Sequence, residues 1–310
     1  MYICADMGSS NTRLALCDSK GIIFSERAAF GALNGKRDGK EFLFSQMRSL
    51  TSKLLSHLPK DSPMPDCIMI SGMAGSEIGL CEIPHISLPA NASILTASLS
   101  EKTIPEICDI PFVFVPGLKA LDGQDLRDIM RGEEVEAIGT FLSLGLTEDA
   151  VLILPGTHNK AVKISADGMI SDFITTLSGE MLSMVISHSI LSGSVAHDFT
   201  LNEELLFKGA EYADEYGINA ALFHIRVMSK NSIDRDSMSS FLYGAVLGED
   251  VEAIKKFADG VRIFVGGKEN LRRAYSLLLG ENALETDPEL SQNSVFIGLS
   301  HLYNLHKAMH

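Results

Sequence analysis

The sequence has no tryptophan, no long apolar run and fewer basic than acidic residues. Its 26 lysines and arginines are outnumbered by 40 aspartates and glutamates, so the formal net charge is -14. Such an acidic chain is poorly suited to bind nucleic acid or an anionic membrane surface. No apolar run approaches the roughly 20 residues that a membrane-spanning helix needs. We therefore expect partners other than nucleic acid or membrane.

Several motifs of familiar enzyme and metal sites are also missing. The five cysteines are odd in number and include no C-x-x-C pair, which argues against a disulfide framework or a zinc site. There is no H-E-x-x-H zinc motif, no G-x-x-x-x-G-K-[ST] phosphate loop and no G-x-S-x-G nucleophile elbow. The amino-terminal residues lack the basic start and apolar stretch of a signal peptide, so we expect a cytoplasmic protein.

Among the features that are present, two strand–turn–strand segments stand out. In the first, an apolar run over residues 3–5 ends at Asp6, and a small polar turn follows, made of Gly8, Ser9, Ser10, Asn11 and Thr12. Such a turn can form a nest of N–H donors for phosphate oxygens. A carboxylate at the end of a strand suits a hydrated Mg²⁺ ion. An ordinary hairpin turn is the alternative.

The second half of the chain repeats this arrangement in pattern but not in letters. An apolar strand over residues 151–154 leads into Pro155, Gly156, Thr157 and His158, and another apolar strand follows. This weak internal repeat predicts two related domains, each with a phosphate turn. Lys160 is either a further cation for phosphate or an exposed strand residue.

Strands alternate with helices over the whole chain, which predicts an α/β fold. Apolar runs predict strands at residues 21–24, 67–71, 112–115, 161–164, 169–174 and 262–265. Helical spacing predicts helices at residues 178–193, 203–215, 219–230, 237–257, 269–279 and 295–306.

Five segments resemble those of the 2-dehydro-3-deoxygalactonokinase family, a member of the sugar kinase, heat-shock protein 70 and actin superfamily. They are DMGSSNTR at 6–13, SGMAGS at 71–76, VPGL at 115–118, MRGEE at 130–134 and LPGTHNK at 154–160. Each is weak alone, but their order along the chain is specific. The family usually has tryptophan where this chain has Met7, so the sequence alone does not identify the sugar acid.

The resemblance implies two actin-like (ribonuclease H-like) domains around a cleft for nucleotide and substrate. We expect the first over residues 1–130, with the final helix, 295–310, packing back on it, and the second over 131–294. The implied reaction transfers the γ-phosphoryl group of ATP to the primary hydroxyl of a 2-keto-3-deoxy sugar acid, with Mg²⁺ as cofactor. Positioning and electrostatic stabilisation dominate such reactions.

The resemblance also assigns roles to residues. Asp6 would hold the metal, and the phosphates would bind Gly8, Ser9, Ser10, Asn11, Thr12, Gly156, Thr157, His158 and Lys160. Adenosine would lie against Gly266 and Gly267. The catalytic base would be Glu133, with Glu134 or Asp128 next; complementing a helix dipole is the alternative role for such acids. Arg131, Arg13, Gly75 and Ser76 would contact the sugar acid, although surface arginines and plain tight turns are common.

Two other functions share the same turns. A phosphohydrolase that cleaves polyphosphate or nucleotide would need no sugar pocket. A non-catalytic nucleotide or sugar sensor would need no base, although the lack of a basic DNA-binding module argues against a repressor. A homodimer is one alternative for the oligomeric state.

Overall fold

The computed structural model describes residues 1–59 and 62–309, and these divide into two compact units. The first unit comprises Met1–Thr147, Ser165–Asp172 and Asn293–His310, and the second comprises Glu148–Ile164 and Phe173–Gln292. Residues 131–147, which the sequence interpretation assigned to the second domain, therefore cluster with the first unit. None of the helices in the described part of the chain is long and apolar enough to cross a membrane.

The first unit is built on a six-stranded sheet with the order β3-β2-β1-β4-β7-β6. The strands are β1 (Tyr2–Met7), β2 (Thr12–Asp18), β3 (Gly21–Ala28), β4 (Ile68–Gly72), β5 (Ile86–Ser87), β6 (Ser100–Ile104), β7 (Cys108–Phe114), β8 (Leu118–Asp122) and β9 (Asp125–Met130). The helices are α1 (Ala32–Asp38), α2 (Lys40–Leu55), α3 (Ala92–Ala97) and α4 (Glu133–Leu144). β5, β8 and β9 form a separate three-stranded sheet, which the sequence did not predict.

The centre of the first sheet places the site residues. β1 and β4 are parallel, with Asp6 opposite Ser71 and Met7 opposite Gly72. β1 is an almost continuous apolar run and is buried on both faces, as is usual for a central strand. Because the carboxyl ends of parallel strands meet at one edge of a sheet, Asp6 and the segment after Gly72 lie together.

The second unit is built on a five-stranded sheet with the order β12-β11-β10-β13-β14. The strands are β10 (Ala150–Leu154), β11 (Asn159–Ile164), β12 (Ile170–Thr176), β13 (Arg262–Val265) and β14 (Ala283–Glu285). The helices are α5 (Ser178–His188), α6 (Glu203–Tyr216), α7 (Ile218–Met228), α8 (Arg235–Ala258) and α9 (Glu269–Leu279), and the last helix of the chain is α10 (Pro288–Met309). His310, the end of the predicted final helix, lies outside the described residues.

Each unit has its own hydrophobic core. In the first, the side chains of α2 pack against the central strands, through Leu43, Met47, Leu50 and Leu54. In the second, the core joins α5 to α9 with β10 and β13. β10 and β13 are parallel, with Ile153 opposite Val265, so the turns that follow them lie at the same edge of the second sheet.

Candidate active site

The first phosphate turn, residues 8–12, links β1 to β2. The N–H group of Gly8 donates to the carbonyl of Asn11 at 2.8 Å and closes the turn. Thr12 is buried, and its hydroxyl donates to the carbonyl of Phe30 at 2.8 Å. Asn11 is exposed and accepts a bond from Arg27. Thr12 thus anchors the turn, and the residues before it face outward.

Helix α1 fixes the direction of the peptide groups in this turn. The carbonyls of Gly8 and Ser9 accept from the N–H groups of Ala32 and Leu33 at 3.1 and 3.0 Å. In a trans peptide the carbonyl and the N–H point in opposite directions. The N–H groups of Ser9 and Ser10 therefore point away from α1, as two neighbouring donors suited to an anion.

The second turn, residues 155–158, links β10 to β11 in the same way. The N–H group of Gly156 donates to the side-chain oxygen of Asn159 at 3.0 Å. The carbonyl of Thr157 accepts from the N–H of Glu180, in the first turn of α5, at 2.8 Å. The N–H of His158 therefore points away from α5, and its ring Nε2 lies 2.9 Å from Glu180 Oε2.

A glycine at each helix start permits this close approach. A Cβ atom on Gly31 would lie 2.4 Å from the carbonyl oxygen of Gly8, and a Cβ on Gly179 would lie 1.9 Å from that of Gly156. Both separations are far below van der Waals contact. The two units therefore share one construction, in which a helix start holds the carbonyl side of a turn and leaves N–H groups outward.

A network of buried polar side chains supports the second turn. Asn159 Nδ2 donates to the hydroxyl of Tyr275 at 2.6 Å and to Asp250 Oδ2 at 3.4 Å. Asp250 also accepts from Thr176 at 2.8 Å, from Ser178 at 2.7 Å and from the hydroxyl of Tyr275. Burial, together with the nearby charge of Asp250, raises the pKa of Tyr275.

Gly266 and Gly267 follow β13 and lie beside the second turn. Gly266 donates its N–H to the carbonyl of Ile153 at 2.9 Å. Gly267 has a positive φ of 86° and packs against the ring of Pro155, which a Cβ would approach to 2.9 Å. Lys160 is buried, so its description as an exposed strand residue is wrong.

Asp6 is half-buried at the end of β1 and paired with Arg13. Nε and Nη2 of Arg13 both donate to Asp6 Oδ2, at 3.0 and 2.7 Å. The described residues include no group of three or more His, Cys, Asp or Glu side chains that fits a metal. One carboxylate does fit Mg²⁺, which keeps most of its waters and completes its coordination with substrate phosphates.

The start of α4 carries three acidic residues. Glu134 is fully buried, and its Oε2 accepts from the N–H of Gly132 at 2.7 Å. Its Oε1 has no hydrogen-bond partner among the described residues. Burial and the charge of Glu133 raise the pKa of Glu134 to about 8. Glu133 is half-buried, and its Oε2 accepts from the N–H of Arg131 at 3.1 Å.

The third acid on α4, Glu136, interacts electrostatically with Asp6 at the end of β1. Burial and the charges of Glu133 and Asp6 raise the pKa of Glu136 to about 8, against the opposing effect of Arg13. Asp128 lies earlier, on β9, where its Oδ1 accepts from the N–H of Ile129 at 2.7 Å. The α4 acids and Asp6 therefore form one electrostatic group.

These raised pKa values predict a pH-dependent stability. The unfolded chain releases the Glu134 proton near pH 4.5, whereas the folded protein holds it up to about pH 8. The contribution of Glu134 is thus complete below pH 4.5 and is lost as the pH rises towards 8. We expect Glu134→Gln, which cannot ionise, to gain free energy of unfolding relative to wild type between pH 5 and pH 8. Urea unfolding at both pH values checks this, with the exposed Glu77→Gln as control. The same difference in free energy of unfolding between wild type and Glu134→Gln at pH 5 and at pH 8 would contradict it.

Arg131 lies beside the loop after β4. Its Nη2 donates to the carbonyl of Ile83 at 2.7 Å and lies 3.2 Å from His85 Nδ1, while its buried Nη1 has no partner among the described residues. A Cβ on Gly75 would meet Nη1 at 2.7 Å. The Ser76 hydroxyl bonds back to its own turn. Burial and the charge of Arg131 lower the pKa of His85 to about 4, so His85 is a neutral acceptor at pH 7.

Met7, the position that departs from the family pattern, lies in the core of the first unit and is fully buried. The departure from the family pattern at position 7 is therefore a difference in the packing of the core of the first unit.

Some residues of the site were missed from the sequence: His85, Gly31, Gly179, Asp250 and Tyr275. Asp250 does carry a signal, because it falls at helical spacing with the buried Tyr243, Leu247 and Ile254 on α8. A carboxylate within an apolar stripe indicates a buried polar network. The glycines and His85 carry no such signal, because their neighbours come from distant parts of the chain.

Comparisons with known proteins identify relatives of this chain. A family model described as 2-keto-3-deoxy-galactonokinase matches residues 6–302. The 2-dehydro-3-deoxygalactonokinase of Escherichia coli (strain K12) is 26% identical over 259 residues, which is 83% of this chain and 81% of that protein. A protein of Rhizobium meliloti (strain 1021), assigned as 2-dehydro-3-deoxygalactonokinase DgoK1, is 32% identical over 196 residues, which is 63% of this chain and 59% of that protein.

Solved structures show the same fold. A crystal structure from Sinorhizobium meliloti, assigned as a 2-dehydro-3-deoxygalactonokinase, has a TM-score of 0.77 at 24% identity and covers 98% of this chain and 96% of its own. The activator of 2-hydroxyisocaproyl-CoA dehydratase from Clostridium difficile has a TM-score of 0.54 at 12% identity, covering 99% and 96%. These likenesses confirm the predicted actin-like α/β fold class. Because the family model matches nearly the whole length of the chain, from residue 6 to residue 302, the chain belongs to the 2-keto-3-deoxy-galactonokinase family.

Proposed function

We propose that this protein is an ATP-dependent kinase that phosphorylates the primary hydroxyl of a 2-keto-3-deoxy sugar acid resembling 2-dehydro-3-deoxygalactonate. The observation that carries the proposal is the shared construction of the two turns, each with N–H groups directed away from a supporting helix. Directed N–H groups bind phosphate oxygens without the help of a cationic side chain. Family membership and the named relatives support the same activity.

Each turn is assigned as a phosphate-binding element. The N–H groups of Ser9 and Ser10 act in the first turn, and that of His158 acts in the second. Asp6 would hold Mg²⁺, which supplies charge neutralisation at the phosphates when bound. Gly266 and Gly267 are assigned to adenosine, since a flat base can approach a backbone without side chains.

Glu133 is assigned as the base that orients the attacking hydroxyl and takes its proton. It stands at the start of α4, next to two acids whose raised pKa values keep them largely protonated at pH 7. A protonated carboxyl group cannot act as a base. This leaves Glu133 as the acid of α4 best suited to accept the proton.

Arg131 is assigned to the carboxylate of the sugar acid. Its guanidinium is desolvated, and burial lowers its pKa, so an incoming anion would be strongly favoured there. We expect Arg131→Gln to raise KM for the acid about 10–100-fold, with a small effect on KM for ATP. Steady-state kinetics with each substrate varied checks this. The matched control is Arg48→Gln, which removes another arginine that binds a loop carbonyl in the same unit. An unchanged KM for the acid would remove Arg131 from this role.

Gly31 and Gly179, at the helix starts that support the two turns, give a further prediction. A methyl group at Gly31 or Gly179 must push the turn from its helix, since the nearest atoms are backbone atoms. We expect Gly31→Ala and Gly179→Ala each to lower kcat/KM for ATP about 10–100-fold, as displacements of about 1 Å do in active sites. The control is Gly193→Ala, whose added Cβ meets nothing within 4 Å. Wild-type values in both variants would show that the turns do not depend on this approach.

The activity itself is tested by coupling ADP release to a panel of 2-keto-3-deoxy sugar acids. ADP release that depends on the acid supports the kinase. Phosphate release without any acid would instead identify a phosphohydrolase, and no ADP under any condition would favour the sensor. The cytoplasmic location and the oligomeric state stay predictions from the sequence.

A further inference from the structure

The buried network beneath the second turn contains an ionisable group that the proposed reaction does not use. Asp250 is only 5% exposed, on α8, where the neighbouring buried positions Val246, Leu247 and Ile254 are apolar. Removing a carboxylate from water is costly unless hydrogen bonds replace the lost hydration. A buried carboxylate at this position therefore needs hydrogen-bond donors around it, and the surrounding elements supply them.

Four donors from four elements converge on this carboxylate. They are Ser178 of α5 on Oδ1, and Thr176 of β12, Tyr275 of α9 and Asn159 of β11 on Oδ2. The donors are hydroxyl and amide groups, and each donates to an oxygen of the same carboxylate. Their orientations are consequently set by Asp250.

The important orientation is that of the Asn159 amide. The hydroxyl of Tyr275 donates to Asp250, so its oxygen accepts from Asn159 Nδ2. With the nitrogen end so held, Oδ1 faces the N–H of Gly156, which it accepts at 3.0 Å. The two ends of an amide are not interchangeable. A flipped Asn159 would set an NH₂ group against the N–H of Gly156 and release the turn.

We infer that Asp250 is a positioning residue for nucleotide binding, acting through Tyr275 and Asn159 on the second turn. The inference rests on the proposed function, because that function assigns the second turn to phosphate. The hydrogen-bonded chain also reaches α9, the helix after Gly266 and Gly267. Through these hydrogen bonds Asp250 links the second turn, which is assigned to phosphate, to α9, which follows the two glycines assigned to adenosine.

The test compares two tyrosines that each donate a hydroxyl to an aspartate. Tyr275→Phe removes the bond to Asp250, and Tyr303→Phe removes the equivalent bond to Asp66 in the first unit, where Tyr303 stacks on Tyr2 at the start of β1, the strand end opposite the first turn. We expect Tyr275→Phe to raise KM for ATP, and the Kd for ATP measured calorimetrically without acid, about 10-fold. KM for the sugar acid should stay within about two-fold, because the proposed function assigns the acid to Arg131 in the first unit. Tyr303→Phe should leave all three constants unchanged, even if its thermal stability falls.

Asp250→Asn should have a larger effect on the same constants. Its NH₂ group donates to Tyr275, reverses that hydroxyl and favours the flipped Asn159. If this variant fails to fold, Tyr275→Phe still decides. A folded Tyr275→Phe that binds ATP as wild type does, or that loses ATP and acid affinity equally, overturns the inference. Failure of wild type itself to bind ATP overturns the proposed function instead.

Discussion

Replacing Glu133 with glutamine is expected to lower kcat about 10²–10⁴-fold, while both KM values stay near those of wild type. Glutamine keeps the size of the side chain and can still accept the bond from the N–H of Arg131, so the loop before α4 should keep its conformation. It cannot take a proton from the attacking hydroxyl. Pre-steady-state and steady-state measurements of ADP formation would show whether the loss lies in the chemical step.

The control for this variant tests the simpler role of an acid in the first turn of a helix, which is its interaction with the helix dipole. Glu269 occupies the same position on α9, and Glu269→Gln removes only its interaction with the helix dipole. We expect wild-type kinetics from that control. If Glu133→Gln also stays within a few-fold of wild type, Glu133 is not the base, and Glu134→Gln and Asp128→Asn should be measured next.

Asp6→Asn is expected to lower kcat about 10²–10³-fold at ordinary Mg²⁺ concentrations, a loss typical of removing one electrostatic contact in an active site. The asparagine oxygen can still accept from Arg13, so the end of β1 should remain in place. The lost charge weakens the proposed magnesium site. Part of the activity should therefore return as Mg²⁺ is raised, in contrast to Glu133→Gln.

Asp18 provides a matched control, because it ends β2 in the same hairpin and its carboxylate accepts from the N–H of Lys20. Asp18→Asn should keep both kcat and the Mg²⁺ dependence of wild type. Thermal unfolding of both variants separates activity from stability. An Asp6→Asn enzyme with an unaltered Mg²⁺ dependence would place the metal elsewhere.

The sequence predicted well those elements whose patterns are strong. The helix expected at 269–279 is α9, and the strand expected at 262–265 is β13, both with the predicted bounds. The final helix begins earlier than predicted, at Pro288 rather than 295, although proline is common in a first helical turn. β8 and β9 were missed because their apolar and polar residues do not alternate regularly, and Leu121, Leu126 and Ile129 are apolar but exposed.

The site could be predicted only where its chemistry is local. The two turns are contiguous in sequence, and glycine with small polar residues indicates them. The support of the second turn is not contiguous: Asn159 meets Asp250 and Tyr275 across 91 and 116 residues. Only the packing of α8 and α9 brings these side chains together. The sequence shows that Met7 departs from the family pattern, but only the structure shows that its side chain lies in the core while its neighbour Asp6 stays half-buried.

In both units a helix start holds the carbonyl side of the turn, and this shared construction is relevant to the evolutionary origin of the chain. If both halves descend from one duplicated gene, the feature that they have kept is the direction of a few peptide groups, not the side chains around them. Gly31 and Gly179 sit where a helix start meets a turn carbonyl in each half. In each half the close approach excludes a side chain at this glycine, whatever residues the turn itself carries. Ancestral duplications of this kind are better sought by aligning hydrogen-bonded peptide groups than by aligning letters.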